Sequence, residues 1–169
     1  MNQRINTARR NLLRGRPIAD AVLRPPWAIG ESEFLDTCTT CQDCVSACPE
    51  QIIVAGGGDY PVVRFETSEC TFCGDCVEAC VTGALIRDDR EPWNQGPVVA
   101  DTCLARKNVV CETCRDACEA RAIRFPPKLG HAPEPDIDRD LCVGCGACVS
   151  ACPVDAVSIR PGTRQELGA

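Results

Sequence analysis

Aromatic side chains are scarce in this chain of 169 residues, where Phe, Trp and Tyr together make up 4%. So little ring surface is thin material for a conventional core, and something other than apolar burial has to staple the fold. Histidine occurs once, as His131 in the Pro-rich stretch Pro126 to Pro133, where it reads as a solvated residue rather than a ligand. No run approaches the roughly eighteen apolar residues that would suggest a membrane span. No phosphate-cradling glycine loop of the nucleotide-binding kind is present, because Gly56-Gly57-Gly58-Asp59 leads into Tyr60-Pro61 and strand character, which reads as a tight turn. Acid pairs such as Asp88-Asp89 lie in polar, turn-rich surroundings and read as solvated surface. The chain is therefore not expected to be an enzyme.

A cleavable signal peptide is not expected either. Thr7-Ala8-Arg9-Arg10-Asn11-Leu12-Leu13 loosely resembles a twin-arginine signal, but Arg14-Gly15-Arg16-Pro17 stands where the apolar run belongs. A cytoplasmic location is expected, and reducing conditions there keep thiols free of disulfides. Charge is uneven: residues 1–30 carry six arginines against Asp20, whereas the remainder carries 12 basic and 23 acidic groups. An acidic body argues against nucleic acid as a partner. The basic arm is the one segment suited to an acidic partner.

What the chain has in abundance is cysteine, 16 residues in four quartets. Cys38, Cys41, Cys44 and Cys48, followed by Pro49, follow the C-x2-C-x2-C-x3-C-P run that holds 4Fe-4S clusters in bacterial ferredoxins. Cys70, Cys73, Cys76 and Cys80 repeat it with Val81 in place of the proline, and Cys142, Cys145, Cys148 and Cys152 repeat it with Pro153. Cys103, Cys111, Cys114 and Cys118 keep the later spacings but stretch the first gap from two residues to seven. That gap admits a looser cluster loop, a cluster of different nuclearity or a site that lost its iron. Thiolate is a soft ligand suited to iron in a sulfide-bridged cube, and the close spacing lets one tight loop present three sulfurs to one face. Zinc also uses C-x2-C pairs, but it does not explain a third cysteine at x2 and a fourth at x3. Gly74, Gly144 and Gly146 suit such loops by relieving backbone strain and letting amide hydrogens point at sulfur.

Short strand-like stretches flank every quartet, among them Val62 to Phe65, Pro97 to Ala100 and Ile137 before, and Ile52 to Val54, Ala84 to Ile86, Ala122 to Phe125 and Ala156 to Ile159 behind. The x3 spacing of the last two cysteines suits the start of a short helix. The fold class expected is α+β: tandem bacterial ferredoxin-like modules, short hairpins and short helices wrapped around 4Fe-4S clusters. The expected organisation is a basic arm over 1–30, a first two-cluster module over 31–92, a second over 93–162 with an atypical third quartet, and a tail over 163–169. Because the fourth cysteine of such a run ligates the other cluster of its module, neighbouring quartets would exchange Cys48 with Cys80 and Cys118 with Cys152. A nested arrangement, outer with outer and inner with inner, stays open because the gaps between quartets are 21, 22 and 23 residues. Four 4Fe-4S clusters are expected, with the third quartet the least regular site.

Ile5, Ala8, Leu12 and Leu13 would form one apolar stripe on a helix over residues 4–14, beside an arginine-rich face. Arg9, Arg10, Leu12 and Leu13, with Trp27 as an aromatic anchor, are the candidate partner-binding residues. The alternative is a disordered arm with Trp27 packed over the first cluster to exclude water.

Several features together give the chain a more specific likeness. Arg9-Arg10, Leu12-Leu13, Arg14-Gly15-Arg16, Arg24-Pro25-Pro26-Trp27-Ala28, Glu33-Phe34, Cys48-Pro49-Glu50, Ile52-Ile53, Gly58-Asp59-Tyr60-Pro61, Phe65, Glu69-Cys70-Thr71-Phe72-Cys73-Gly74 and the stretched quartet ending Cys118-Glu119 resemble the NapF family. That family comprises ferredoxin-type proteins accessory to periplasmic nitrate reductase, and the likeness runs from about residue 7 to about residue 160. Gln42, where a small residue is common, and Val81 depart from its pattern. The resemblance implies a cytoplasmic iron–sulfur protein that contacts the catalytic subunit NapA before export and assists its maturation, by installing or reducing its cluster. An electron carrier feeding an oxidoreductase would need the same ligands and remains the alternative.

Overall fold

The computed structural model describes residues 22–162. Its elements are short, because each run between cysteines holds only a few residues before the chain must turn back to a ligand loop. In chain order they are helix α1 (Glu31–Thr37), α2 (Asp43–Ala47), β1 (Ile53–Ala55), a 3-10 turn (Gly57–Asp59), β2 (Pro61–Val63), α3 (Asp75–Glu78) and β3 (Gln95–Val99). A second 3-10 turn (Ala105–Lys107) follows, then α4 (Thr113–Asp116), β4 (Ile123–Arg124), β5 (Asp136–Ile137), α5 (Ala147–Ser150) and β6 (Val157–Pro161). The short helices at x3 spacing form in all four quartets, each carrying the third cysteine as its second residue: Cys44, Cys76, Cys114 and Cys148.

Pairing repeats within the chain. β1 and β2 form an antiparallel hairpin closed by the Gly57–Asp59 turn, and β4 pairs with β5. Around the second hairpin, β3 pairs antiparallel with β6 from Gln95 opposite Pro161 to Val99 opposite Val157. Around the first, the corresponding outer pair shrinks to a bridge between Ala28 and Leu85, with the Ile29 amide donating to the Ala84 carbonyl at 3.1 Å and Ile86 to Trp27 at 2.9 Å. In both halves, then, chain entering the first quartet pairs with chain leaving the second. α2 packs on α3 and α4 on α5.

The end of the expected arm packs on the body. Residues 23–29 belong to the folded body: Arg24 makes a two-pronged ion pair with Glu31 (2.9 and 2.7 Å), donates to the Pro61 carbonyl at 3.0 Å and lies 4.9 Å above the Phe34 ring. Trp27 is only 7% exposed, capped by Arg87 at 4.9 Å and set edge-on to Phe72, and it lines the cavity of Cys48, Cys70, Cys73 and Cys76. The charge of Arg24 serves as a clamp across α1 and β2 rather than as part of a free basic surface. Arg9, Arg10, Leu12 and Leu13 lie outside the described residues.

The core is one continuous cluster running through both halves, with Phe34 fully buried and Ile52, Ile53, Val63, Phe65, Leu85, Ile123, Val157 and Ile159 beside it. The few aromatic rings are concentrated where the chain needs large, stiff surfaces. Trp27, Phe72, Trp93 and Phe65 form an edge-to-face string with centroid spacings of 6.4, 5.6 and 5.9 Å. Among the described residues no helix is long and apolar enough to cross a membrane.

Four thiol cages

All sixteen cysteines are free thiols, and they gather around four small cavities. Cys38, Cys41, Cys44 and Cys80 line one with Phe34, Pro61 and Leu85; Cys48, Cys70, Cys73 and Cys76 line the next with Trp27, Ile52, Ile53 and Phe72. Cys103, Cys111, Cys114 and Cys152 surround the third with Val99, Phe125 and Val157, and Cys118, Cys142, Cys145 and Cys148 the fourth with Pro97, Ile123 and Ile159. The walls therefore follow the neighbouring grouping of quartets, not the nested one. Each cage takes three thiols from one loop and the fourth from the adjacent quartet.

The four cavities are alike in size, with about 20 Å³ of space open to a water-sized molecule in each. Near-equal volume, including at the stretched third quartet, points to one kind of occupant. Among the described residues no three His, Cys, Asp or Glu side chains converge closely enough to grip a single ion. Thiols arranged around a volume, instead of meeting at a point, fit the faces of a sulfide-bridged iron cube better than tetrahedral zinc.

The ligand loops share a backbone device. The residues on either side of the second cysteine are left-handed in three quartets: Thr40 and Gln42, Phe72 and Gly74, Gly144 and Gly146. Gln42 shows how a side chain is tolerated there, since its amide nitrogen donates to the carbonyls of Asp59 at 2.5 Å and Thr40 at 3.2 Å. The third quartet departs, with Glu112 at φ −128° in the place after its second cysteine. Its extra residues form the 3-10 turn Ala105–Lys107, closed by left-handed Asn108, whose Oδ1 accepts from the Ala132 amide at 2.6 Å. The insertion is thereby tied to the Pro-rich loop, where His131 is exposed. Three residues after the last cysteine every quartet again turns left-handed, at Gln51, Gly83, Arg121 and Asp155. Bare spacing rules give no sign of this device, because only one of those four positions is glycine.

Sulfur accepts hydrogen bonds at several points: amides of Phe72, Ala122 and Ala156 donate to Cys70, Cys118 and Cys152 at 3.4, 3.3 and 3.2 Å. The hydroxyls of Thr82 and Thr113 lie 3.6 and 3.5 Å from Cys80 and Cys111. Val81, at the position of the missing proline, points outward and is 87% exposed, whereas Pro49 and Pro153 line cavities.

Without a cation these cages disfavour thiolate. Burial foremost, then the charge of neighbouring sulfurs, pushes Cys44 and Cys114 up to about 11 and Cys76 and Cys148 up to about 12. Burial also pushes Cys70 up to about 11, against a lowering hydrogen bond from Phe72. Cys80 is the exception: burial raises it, but the Thr82 hydroxyl and the amides of Leu85, Thr82 and Ala84 together outweigh burial and hold it below the ordinary thiol value. Such clusters of grouped, partly buried thiols have the chemistry to take a multiply charged metal group.

Paired hairpins, one-turn helices and cysteine cages define a ferredoxin-type iron–sulfur protein. The 4Fe-4S dicluster domain family matches residues 26–86 and the 4Fe-4S binding domain family residues 135–158. Among curated proteins, the chain is 40% identical over 156 residues to "Ferredoxin-type protein NapF" of Escherichia coli strain K12, covering 92% of this chain and 95% of that protein. It is 44% identical over 138 residues to the NapF of Haemophilus influenzae, covering 82% and 78%. It is also 37% identical over 176 residues to "Methylamine utilization ferredoxin-type protein MauM" of Methylobacillus flagellatus, covering 93% and 75%. The chain belongs to the NapF family of ferredoxin-type proteins, as the Arg24 to Ala28 segment and the stretched quartet suggest.

Proposed function

We propose that the chain holds four 4Fe-4S clusters and acts as a cytoplasmic accessory protein of periplasmic nitrate reductase, meeting the catalytic subunit NapA before export and assisting installation or reduction of its cluster. The ligand sets are those of the cages: Cys38, Cys41, Cys44 and Cys80; Cys48, Cys70, Cys73 and Cys76; Cys103, Cys111, Cys114 and Cys152; Cys118, Cys142, Cys145 and Cys148. The observation that carries the reading is the set of four nearly equal cavities, each walled by four thiols. Bound there, a 4Fe-4S cluster supplies reversible one-electron chemistry. The chain supplies the rest: thiols fixed by one-turn helices, amides and hydroxyls aimed at sulfur, and apolar walls that keep water from the cages.

The accessory role rests on likeness to NapF proteins, and the basic arm with Arg9, Arg10, Leu12 and Leu13 is its proposed contact with NapA. The reading is non-catalytic. A polyferredoxin electron carrier feeding an oxidoreductase is the rival, and the ferredoxin-type name shared by the NapF and MauM relatives is compatible with either.

Anaerobic purification with iron and acid-labile sulfide counted per chain tests the four sites; a colourless, iron-free yet folded protein would sink them. For the partner, the full chain with Arg9, Arg10, Leu12 and Leu13 all changed to alanine should keep its iron and lose capture of NapA precursor. Unchanged capture would reject the arm as the contact. The two roles separate by timing, since an assembly factor becomes dispensable once the reductase is complete, whereas a carrier is reduced and reoxidised in every turnover.

A further inference from the structure

Where the two halves meet, the contacts fall on the ligand loops themselves. The Cys70 amide donates to the Cys145 carbonyl at 2.8 Å, joining a wall of the second cage to a wall of the fourth. The Gly146 backbone is pressed on the Phe65 ring so closely that a Cβ there would come within 2.1 Å of it. From within the second half the same loop is also held: Trp93 Nε1 donates to the Val143 carbonyl at 2.9 Å, and Gln95, 8% exposed, donates through Nε2 to the Gly144 carbonyl at 3.0 Å. One loop of the fourth quartet is thus gripped at four successive residues. Trp93 also meets Phe72, which lines the second cage, at 5.6 Å.

Within each half the remaining pairs are set by the helices: α2 and α3 carry Cys44 and Cys76, and α4 and α5 carry Cys114 and Cys148. We propose that the modules are joined through their inner sites, so that the four sites run in space as first, second, fourth, third, with Phe65, Trp93 and Gln95 as positioning residues that hold loop 143–146 against Cys70. The order in space therefore differs from the order in sequence. It makes the first and third sites the two ends, and the irregular third quartet, with Val110 76% exposed, becomes a terminus rather than a middle link. This rests on the reading of the cages as 4Fe-4S sites.

The experiment uses full-length protein, loaded anaerobically and reduced with dithionite, and reads magnetic coupling between reduced sites by electron paramagnetic resonance. Iron is counted first in every variant, and failure of the wild type to bind iron would defeat the cage reading instead of the order. With the first and third sites emptied by Cys41→Ala and Cys111→Ala, the remaining second and fourth sites should give a broadened, mutually coupled spectrum. With the first and fourth emptied by Cys41→Ala and Cys142→Ala, the second and third should give the plain sum of two isolated signals. Coupling in the latter pair, or its absence in the former, would overturn the order. If a variant loses iron beyond the two sites intended, hydrogen exchange on the fully loaded chain decides alone. Trp93→Ala and Gln95→Ala together should speed exchange at the Cys70 amide by about tenfold or more at unchanged iron content. An unchanged rate would reject the positioning role.

Discussion

Thr82 stands in the sequence slot after an outward-facing valine, and its hydroxyl does for Cys80 what the proline exit does not. A hydrogen bond to a ligand sulfur stabilises the more negative, reduced cluster, so its removal lowers the potential. Thr82→Val should shift the potential of the first site downward by up to about 60 mV, on the scale of about 0.5–1.5 kcal/mol for one net hydrogen bond. A redox titration of the iron–sulfur signals with the other three sites unmoved checks it; no shift at any site would refute the assignment of Thr82. Phe34 is the second decisive residue, because it is fully buried, underlies Arg24 and lines the first cage. Phe34→Ala should destabilise the protein by about 3–5 kcal/mol. Anaerobic denaturation reads that loss, and iron should leave the first site before the others. The Cys-to-cluster chemistry of these cages was legible from spacing, yet the role of Arg24 was not, since a guanidinium in a basic stretch gives no sign of the Glu31 carboxylate and Phe34 ring that will meet it.

At the scale of elements, the repeat is a one-turn helix presenting a cysteine from its first turn, entered through left-handed backbone in three of the four copies. The third copy replaces that entry with a 3-10 turn braced on the Pro-rich loop through Asn108. Asn108→Ala loses both the amide acceptor and a residue at ease in left-handed backbone, for a cost of about 1–2 kcal/mol. The damage should be local, with iron falling by about one site's share; an even loss across all four sites would contradict the brace. Short helices after each third cysteine were visible from the x3 spacing, and so were the flanking strands. The outer strand of the first module was not, because it amounts to a single bridge between Ala28 and Leu85 and sits in a segment whose arginine reads as part of a basic arm. Helix α1 also escaped notice: it is two turns long, and only Phe34 of its residues is buried.

For the molecule as a whole, metal and protons compete for the same sulfurs. Thiols that burial pushes up to about 11–12 are protonated in the iron-free fold at neutral pH, and they must release protons to bind iron. The sign follows: the loaded state holds fewer protons than the empty one, so loading strengthens as pH rises toward those values and weakens as it falls. Each released proton changes the balance by about 1.4 kcal/mol per pH unit. Iron retention against a chelator should be poorer at pH 6 than at pH 8, and equal retention would show that the thiols are not protonated when empty. By itself the sequence determined the donor chemistry, the α+β class and the fourfold repeat, because cluster ligation demands sulfur at fixed short spacing and such spacing survives in one dimension. Which quartets share cages, the burial of Trp27, and the meeting of the two halves at Cys70 and Cys145 were decided only in the tertiary structure. Those depend on contacts between residues 22 to 75 positions apart, and near-identical gaps between quartets of 21, 22 and 23 residues carry no signal that would rank one closure above another.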